Sequence, residues 1–241
     1  MRMIAFARRN AREILRDPLS LGFGLGFPMI LLALMTLIQR NVPVEIFEME
    51  SLLPGICVFG TSFFALFSAQ LISKDRASAL MMRLKTSPLR PRDFILGYAL
   101  PLLPMALVQG ALCIALALVL GLKPGWGLVW MLLAVLPAAL VFIALGLLCG
   151  SLLTERQVGG VCGALLTNLS AWLSGAWFDL KLIGGGFEAF AYALPFANAV
   201  DAARSALAGR PAGMPLLLTL AYAIALSALA STIFARRMRR S

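Results

Sequence analysis

Six stretches of the 241-residue chain run for about 20 residues or more with almost no formal charge inside them: 19–38, 52–72, 94–120, 126–153, 157–178 and 214–235. A bilayer's hydrocarbon core is about 30 Å thick, and a helix needs roughly that many apolar residues to cross it. Because hydrocarbon offers backbone groups no partner, spanning segments of this length become helices. The expected fold is therefore an all-α membrane protein with six transmembrane helices. Composition agrees, with 61% hydrophobic and 13% charged residues and a mean hydropathy of +0.90, far from the balance of soluble domains. Pro28, Pro101, Pro104 and Pro137 fall inside the windows and predict kinks.

The charge left over is basic and unevenly placed. A net charge of +10 in a soluble protein would suggest nucleic acid, yet here no basic face with interleaved aromatics accompanies it, so nucleic acid is not an expected partner. Lys and Arg instead punctuate the apolar runs. With the N-terminus inside, the inner segments hold sixteen of the twenty-one, six of them between Lys74 and Arg92. Glu45, Glu48 and Glu50 make the first outer loop acidic. The positive-inside rule then puts both termini in the cytoplasm of a multi-pass protein of the bacterial inner membrane. A signal peptide fits poorly, since the apolar run is too long and no A-x-A site follows it. Residues 1–18 read instead as a basic amphipathic helix, with Ile4, Ala7, Ala11, Ile14 and Leu15 on one face and Arg8, Arg9, Arg12 and Arg16 around the other, lying along the inner lipid surface. The "RRMRR" run near the C-terminus is topogenic first and an anionic-lipid site second.

Several chemistries are absent. There is no histidine, hence neither the commonest metal ligand nor the commonest general base. Cys57, Cys113, Cys149 and Cys162 sit in apolar runs without CxxC spacing and read as small buried hydrophobes. No catalytic residue and no metal site is expected. The chain has no G-x-x-x-x-G-K-[ST], so any ATP and Mg²⁺ it depends on must be held by another protein.

The longest strongly charged stretch, "SKDRASALMMRLKTSPLRPRD" at 73–93, lies between spans two and three on the inner side. Its basic residues alone serve topology, but Leu80, Met81, Met82 and Leu84 form an apolar patch beside Arg83 and Lys85, the kind of short amphipathic helix that docks into a partner's groove. Here the chain resembles the membrane subunit of ABC-2 type exporters. Asp75-Arg76, Ala79, Leu84, Ser87-Pro88-Leu89 and Ile95-Leu96-Gly97 follow that family's order, although the family's Gly-Thr pair and extra glutamates are replaced by Ala79-Leu80, Ala77 and Met82. "LSGAWF" at 173–178 resembles the family's fifth-span ending, with Asp179 where proline is common. "ALPFANAVDAARSALAG" at 193–209 resembles its signature before the last span. The variant "DR…MMR" is closer to the drug-export, daunorubicin-permease-like branch. The resemblance implies a homodimer carrying two ATPase subunits, with 73–93 as the coupling loop and Asp75, Arg76, Leu80, Arg83, Leu84 and Pro88 as ATPase-coupling residues. It also implies re-entrant outer helices over 179–212.

Within that hairpin Asp201 and Arg204 form an i,i+3 pair, read as a surface ion pair. Phe59, Phe63 and Phe67 recur every four residues on span two, and Asn168 with Trp172 do so on span five. They are core or lipid-facing aromatics, or else line an amphipathic substrate path. Gly22/Gly26, Gly146/Gly150 and Gly159/Gly163 suit close helix approach, within one bundle or between two copies. The functional expectation is the permease of an ATP-driven exporter for a hydrophobic or amphipathic substrate. An ion-coupled carrier is the alternative, though it would want ionisable groups at membrane depth. An intramembrane lipid-modifying enzyme is a third, though it would want a polar cluster at one face.

Overall fold

The computed structural model describes residues 2–42, 48–78 and 91–240. The proposed docking segment, with Leu80, Arg83, Leu84 and Pro88, lies outside the described residues, as does Glu45. Among the described residues all regular structure is helical. In chain order the α-helices are α1 (Arg2–Leu15), α2 (Pro18–Leu21), α3 (Phe27–Asn41), α4 (Met49–Gly60), α5 (Phe63–Ala77), α6 (Pro91–Ala99), α7 (Leu102–Val119), α8 (Trp126–Leu152), α9 (Glu155–Val158), α10 (Thr167–Leu173), α11 (Gly185–Ala193), α12 (Pro195–Leu207) and α13 (Gly213–Arg240). π-helical segments join α2 to α3 (Gly22–Gly26) and α9 to α10 (Gly159–Leu166).

Five helical stretches are long and apolar enough to cross a membrane: Pro18–Asn41, Met49–Ala77, Asp93–Val119, Trp126–Leu152 and Gly213–Arg237. The sixth expected span differs. α9, its π segment and α10 follow one another without a gap but stop at Leu173, short of the expected 178. Gln157, Thr167, Asn168 and Ser170 with three glycines dilute its apolarity. Gly175, in the turn beyond it, has φ +66°, a conformation that glycine adopts without Cβ strain.

Local sequence explains the other boundaries. In "RDPLS", Asp17 Oδ1 accepts from the backbone N–H groups of Leu19 and Ser20 at 3.2 and 3.3 Å, and Ser20 Oγ donates to Oδ2 at 2.7 Å. That cap, with Pro18 at the first helical position, starts the membrane-crossing helix. Thr154 and Gln157 form a capping box for α9. Pro101 interrupts the third span between α6 and α7, whereas Pro28 and Pro104 fall in first turns, where a missing N–H costs little. α8 continues past Pro137 as one element. A break that the apolar pattern does not announce lies at Thr61–Ser62, between α4 and α5.

α8 is the hub and touches α5, α7, α12 and α13. Gly146 and Gly150 bring it onto α5 so closely that a Cβ would meet Ala65 O at 2.1 Å and Ile72 Cγ2 at 2.2 Å. That pair therefore packs within one bundle. Gly22, Gly26, Gly159 and Gly160 would meet nothing within 4 Å and lie open. Of the second span's most apolar window 94% is buried, against 22% for the first span and 17% for the last. The second span is thus the enclosed one, and Ile30, Leu34, Trp130 and Ile224 stay exposed at the periphery.

α1 corrects the two-faced reading of residues 1–18. Ala7 and Ile14 turn into the bundle with Phe6 and Asn10, while Ile4 and Leu15 remain exposed beside Arg8, Arg12 and Arg16. The helix has three faces because it packs on α6. Phe6 sits where Gly97 leaves room, and a Cβ there would stand 2.3 Å from Phe6 Cδ1. Phe6 meets Tyr98 edge-on at 5.0 Å. Gly97→Ala is expected to displace the ring and cost about 1–3 kcal/mol. Thermal unfolding in detergent should show a lower midpoint for Gly97→Ala and none for Gly22→Ala, whose site is open; equal melting of the two would refute the contact.

Candidate functional site

The basic end of the bundle gathers α1, the end of α5, the start of α6 and the end of α8. Here Asp75, in the last turn of α5, is only 2% exposed. A buried carboxylate must be paired and hydrogen-bonded. Arg9 Nη1 donates to Asp75 Oδ2 at 2.6 Å and the Tyr98 hydroxyl donates to the same oxygen at 2.9 Å. Burial works against the Arg9 charge, but the hydrogen bond and ion pair with Asp75 outweigh it and hold its pKa above the ordinary value. Arg9 also bridges Glu13 at 2.8 Å, and Asn10 Nδ2 donates to the Gly97 carbonyl at 3.0 Å. α5, α1 and α6 are therefore fastened together four residues before the undescribed stretch begins.

Arg76 points the other way. Its Nη1 donates to the carbonyls of Gly150 and Leu153 at 2.7 and 3.3 Å, a cation on the orphan carbonyls that end α8. Sequence reasoning placed Asp75 and Arg76 among the groups that meet an ATPase; both side chains are engaged inside this chain, Asp75 completely. They position the root of the loop. Arg9, Asn10 and Tyr98 were missed as partners. The signal was Asp75 itself, an acid at the edge of an apolar run.

Beside this root a groove of about 590 Å³ opens between the α1–α2 corner and α5. Phe23, Leu66, Phe67 and Leu71 make its apolar wall, and Arg16, Lys74 and Glu155 stand at its polar side. The Ser20 hydroxyl holds the Asp17 carboxylate below its usual pKa, burial opposing only in part.

The candidates for a substrate path divide. Phe59, Phe63 and Phe67 are buried; Phe63 lies 5.5 Å from Phe27 and 5.8 Å from Phe59, and Phe59 stacks edge-on with Trp177 at 4.9 Å. Only Phe67 of the three reaches the groove. Asn168 and Trp172 are exposed on the fifth helix, where Asn168 Nδ2 donates to Ala164 O at 2.8 Å and Trp172 neighbours Phe178 at 5.9 Å. They do not join the phenylalanine row.

At the opposite end the expected Asp201–Arg204 surface pair is loose, at 3.9 Å. Arg204 instead donates to the carbonyls of Ser51 (3.2 Å) and Gly175 (2.9 Å), tying α12 to α4 and to the turn after α10. Asp201 accepts from the Tyr192 hydroxyl at 2.9 Å. Burial raises the Tyr192 pKa to about 12, with Asp201 adding to it. The pair keeps its ionic contact, but the carbonyls of Ser51 and Gly175 take the hydrogen bonds of Arg204 because an unpaired backbone acceptor is costly.

A family model described as ABC-2 type transporter matches residues 1–208. No curated protein matches the chain.

Two predictions come from these clamps. Asp75→Ala strands the buried Tyr98 hydroxyl and is expected to cost about 1–3 kcal/mol, whereas Asp75→Asn keeps an acceptor for it and should cost less. Denaturation in detergent with protease protection of α1 checks this, and equal stability of Asp75→Ala and the parent would contradict it. At the far end burial raises the Asp201 pKa, against the pull of Tyr192 and Arg204. A raised carboxyl stabilises the fold fully below its unfolded value of 3.8 and loses that contribution as pH rises through the folded value. Asp201→Asn should therefore melt at or above the parent at pH 7, with the difference vanishing toward acid, while Arg204→Ala should lose about 1–3 kcal/mol. A clear drop for Asp201→Asn at pH 7 would overturn the assignment.

Proposed function

The chain belongs to the ABC-2 type transporter family, and from that premise we propose that it is the permease subunit of an ATP-driven exporter for a hydrophobic or amphipathic substrate. The observation that carries this reading is the groove at the basic end, in which an apolar wall of Phe23, Leu66, Phe67 and Leu71 meets charges at Arg16, Lys74 and Glu155. An amphiphile leaving the inner leaflet has the same division between tail and head. The aromatic row of Phe63, Phe59 and Trp177 continues along the enclosed second span.

ATP and Mg²⁺ would be bound by a separate ATPase, since this chain has no P-loop. Its contact would be the loop rooted at Asp75 and Arg76, with Leu80 and Leu84 entering a groove on the ATPase, Arg83 at its rim and Pro88 closing the helix. A root fastened to α1, α6 and α8 moves those helices when the loop is pulled, which a freely hinged loop would not do. The open glycines Gly22, Gly26, Gly159 and Gly160 support a second copy against the first and fifth helices, giving a two-plus-two complex of closed symmetry. Both termini would be cytoplasmic, in a bacterial inner membrane, within the drug-export branch.

Co-purification tests the reading. Leu84→Asp would bury an unpaired charge at the contact and should abolish capture of the ATPase, while Arg83→Ala should weaken it mainly at low salt, the difference fading as salt screens the rim charge. Insertion is checked in parallel by a reporter fused at residue 241. Undiminished capture by correctly inserted Leu84→Asp would refute loop docking.

A further inference from the structure

Four cysteines without any shared spacing meet as two pairs. Cys57 and Cys113 belong to one core cluster between α4 and α7 and are fully buried. Cys149 of α8 and Cys162 of the second π segment share a smaller cluster with Ala69, Val158 and Leu153, Cys149 packing against the buried core that Cys162 helps to form.

The second pair differs from the first in access and in charge. Cys149 is partly exposed, whereas Cys162 is buried behind it. Arg76 Nη1 donates to the carbonyl of Gly150 at 2.7 Å, so a guanidinium is bound at the residue that follows Cys149. Thiolates form where a thiol is partly exposed in an electropositive setting. A second thiol in contact is what resolves an oxidised first one.

We propose that Cys149 and Cys162 form an oxidative modification site for hydroperoxides, with Cys149 the attacking and Cys162 the resolving thiol. The Cys149 thiolate attacks the terminal peroxide oxygen, the O–O bond breaks, and the departing oxygen leaves as alcohol or water after taking up a proton. Cys149 is then a sulfenic acid. The Cys162 sulfur attacks it, its proton leaves with the hydroxyl as water, and a disulfide joins α8 to the π segment. Two thiols have supplied two electrons and the peroxide has accepted them.

The bond would pin the fifth helix to α8 across the π segment, which packs beside α5. Under the transporter reading it would slow a cycle in which that helix moves; the chemistry itself does not depend on that reading.

The test uses the full chain in detergent, treated with hydrogen peroxide and mapped by mass spectrometry. The expected product is one disulfide, Cys149–Cys162, with Cys57 and Cys113 remaining reduced. Cys162→Ser should instead accumulate a sulfenic acid at Cys149 that dimedone traps, and Cys149→Ser should give neither product. Arg76→Gln should slow the dimedone reaction several-fold, as expected where a cation favours the thiolate. Dimedone on Cys57 or Cys113, no Cys149–Cys162 disulfide, or Cys149 oxidation at the same rate in the unfolded chain would each overturn the site.

Discussion

One carboxylate organises the basic end of the molecule. Asp75 is buried at the last turn of a span, and an unpaired charge there would cost several kcal/mol, so the surroundings must supply a cation and a donor. The cation comes from Arg9 of α1 and the donor from Tyr98 of α6. Once Arg9 is committed, the angular position of α1 is set, because Phe6 and Asn10 then face α6 and Gly97 has to be small enough to receive the ring. The corner at Asp17-Pro18 follows, since the chain must leave α1 and enter the membrane within two residues. α1, the end of α5 and the first span are thereby parts of one unit.

A different kind of force joins the spans. Lipid tails are as apolar as leucine, so burying Leu against Leu in a bilayer gains little of what it gains in water. Close packing takes its place. Gly146 and Gly150 let α8 approach the backbone of α5, and Gly55 faces Ala176 somewhat less tightly, the Cα of Ala176 lying 3.0 Å from an added Cβ. The ends are then fixed by guanidinium groups on backbone carbonyls, Arg76 at one end and Arg204 at the other. For the same reason the many exposed leucines and isoleucines require no partner: hydrocarbon is their solvent.

How much of this the sequence discloses depends on the range of the interaction. Apolar run length is a one-dimensional property, and five of the six spans and the all-helical class were legible from it. The window at 157–178 gives a shorter and more polar helix than its run length suggests, because window counting weighs Gly and Thr lightly. The Thr61–Ser62 break was invisible, since both residues sit in an otherwise apolar run. Asp75 and Arg76 were legible as special, but the partner of Asp75 was not, because Arg9 lies sixty-six residues away and reads as one topogenic arginine among five. Asp201 and Arg204 were legible only in part: the helical i,i+3 spacing announced the ion pair at 3.9 Å, but not the hydrogen bonds of Arg204 to the distant carbonyls of Ser51 and Gly175. The cysteine pairs left no trace in spacing at all.

The fifth helix is where local and global preferences disagree most. Its glycines disfavour helix, its polar residues disfavour lipid, and it widens into a π segment where the Thr167 hydroxyl turns back to the Cys162 carbonyl at 3.0 Å. π segments inside α-helices mark positions where regular geometry has been given up, often beside a functional site. Here the helix begins at Glu155 on the groove, runs along α5, and carries Cys162 against Cys149. Sequences specify a structure best when every level agrees, and departures from that agreement concentrate where something other than stability is served. A leucine-rich helix at this position would give a firmer bundle, but without the π segment that carries Cys162 into the cluster beside Cys149.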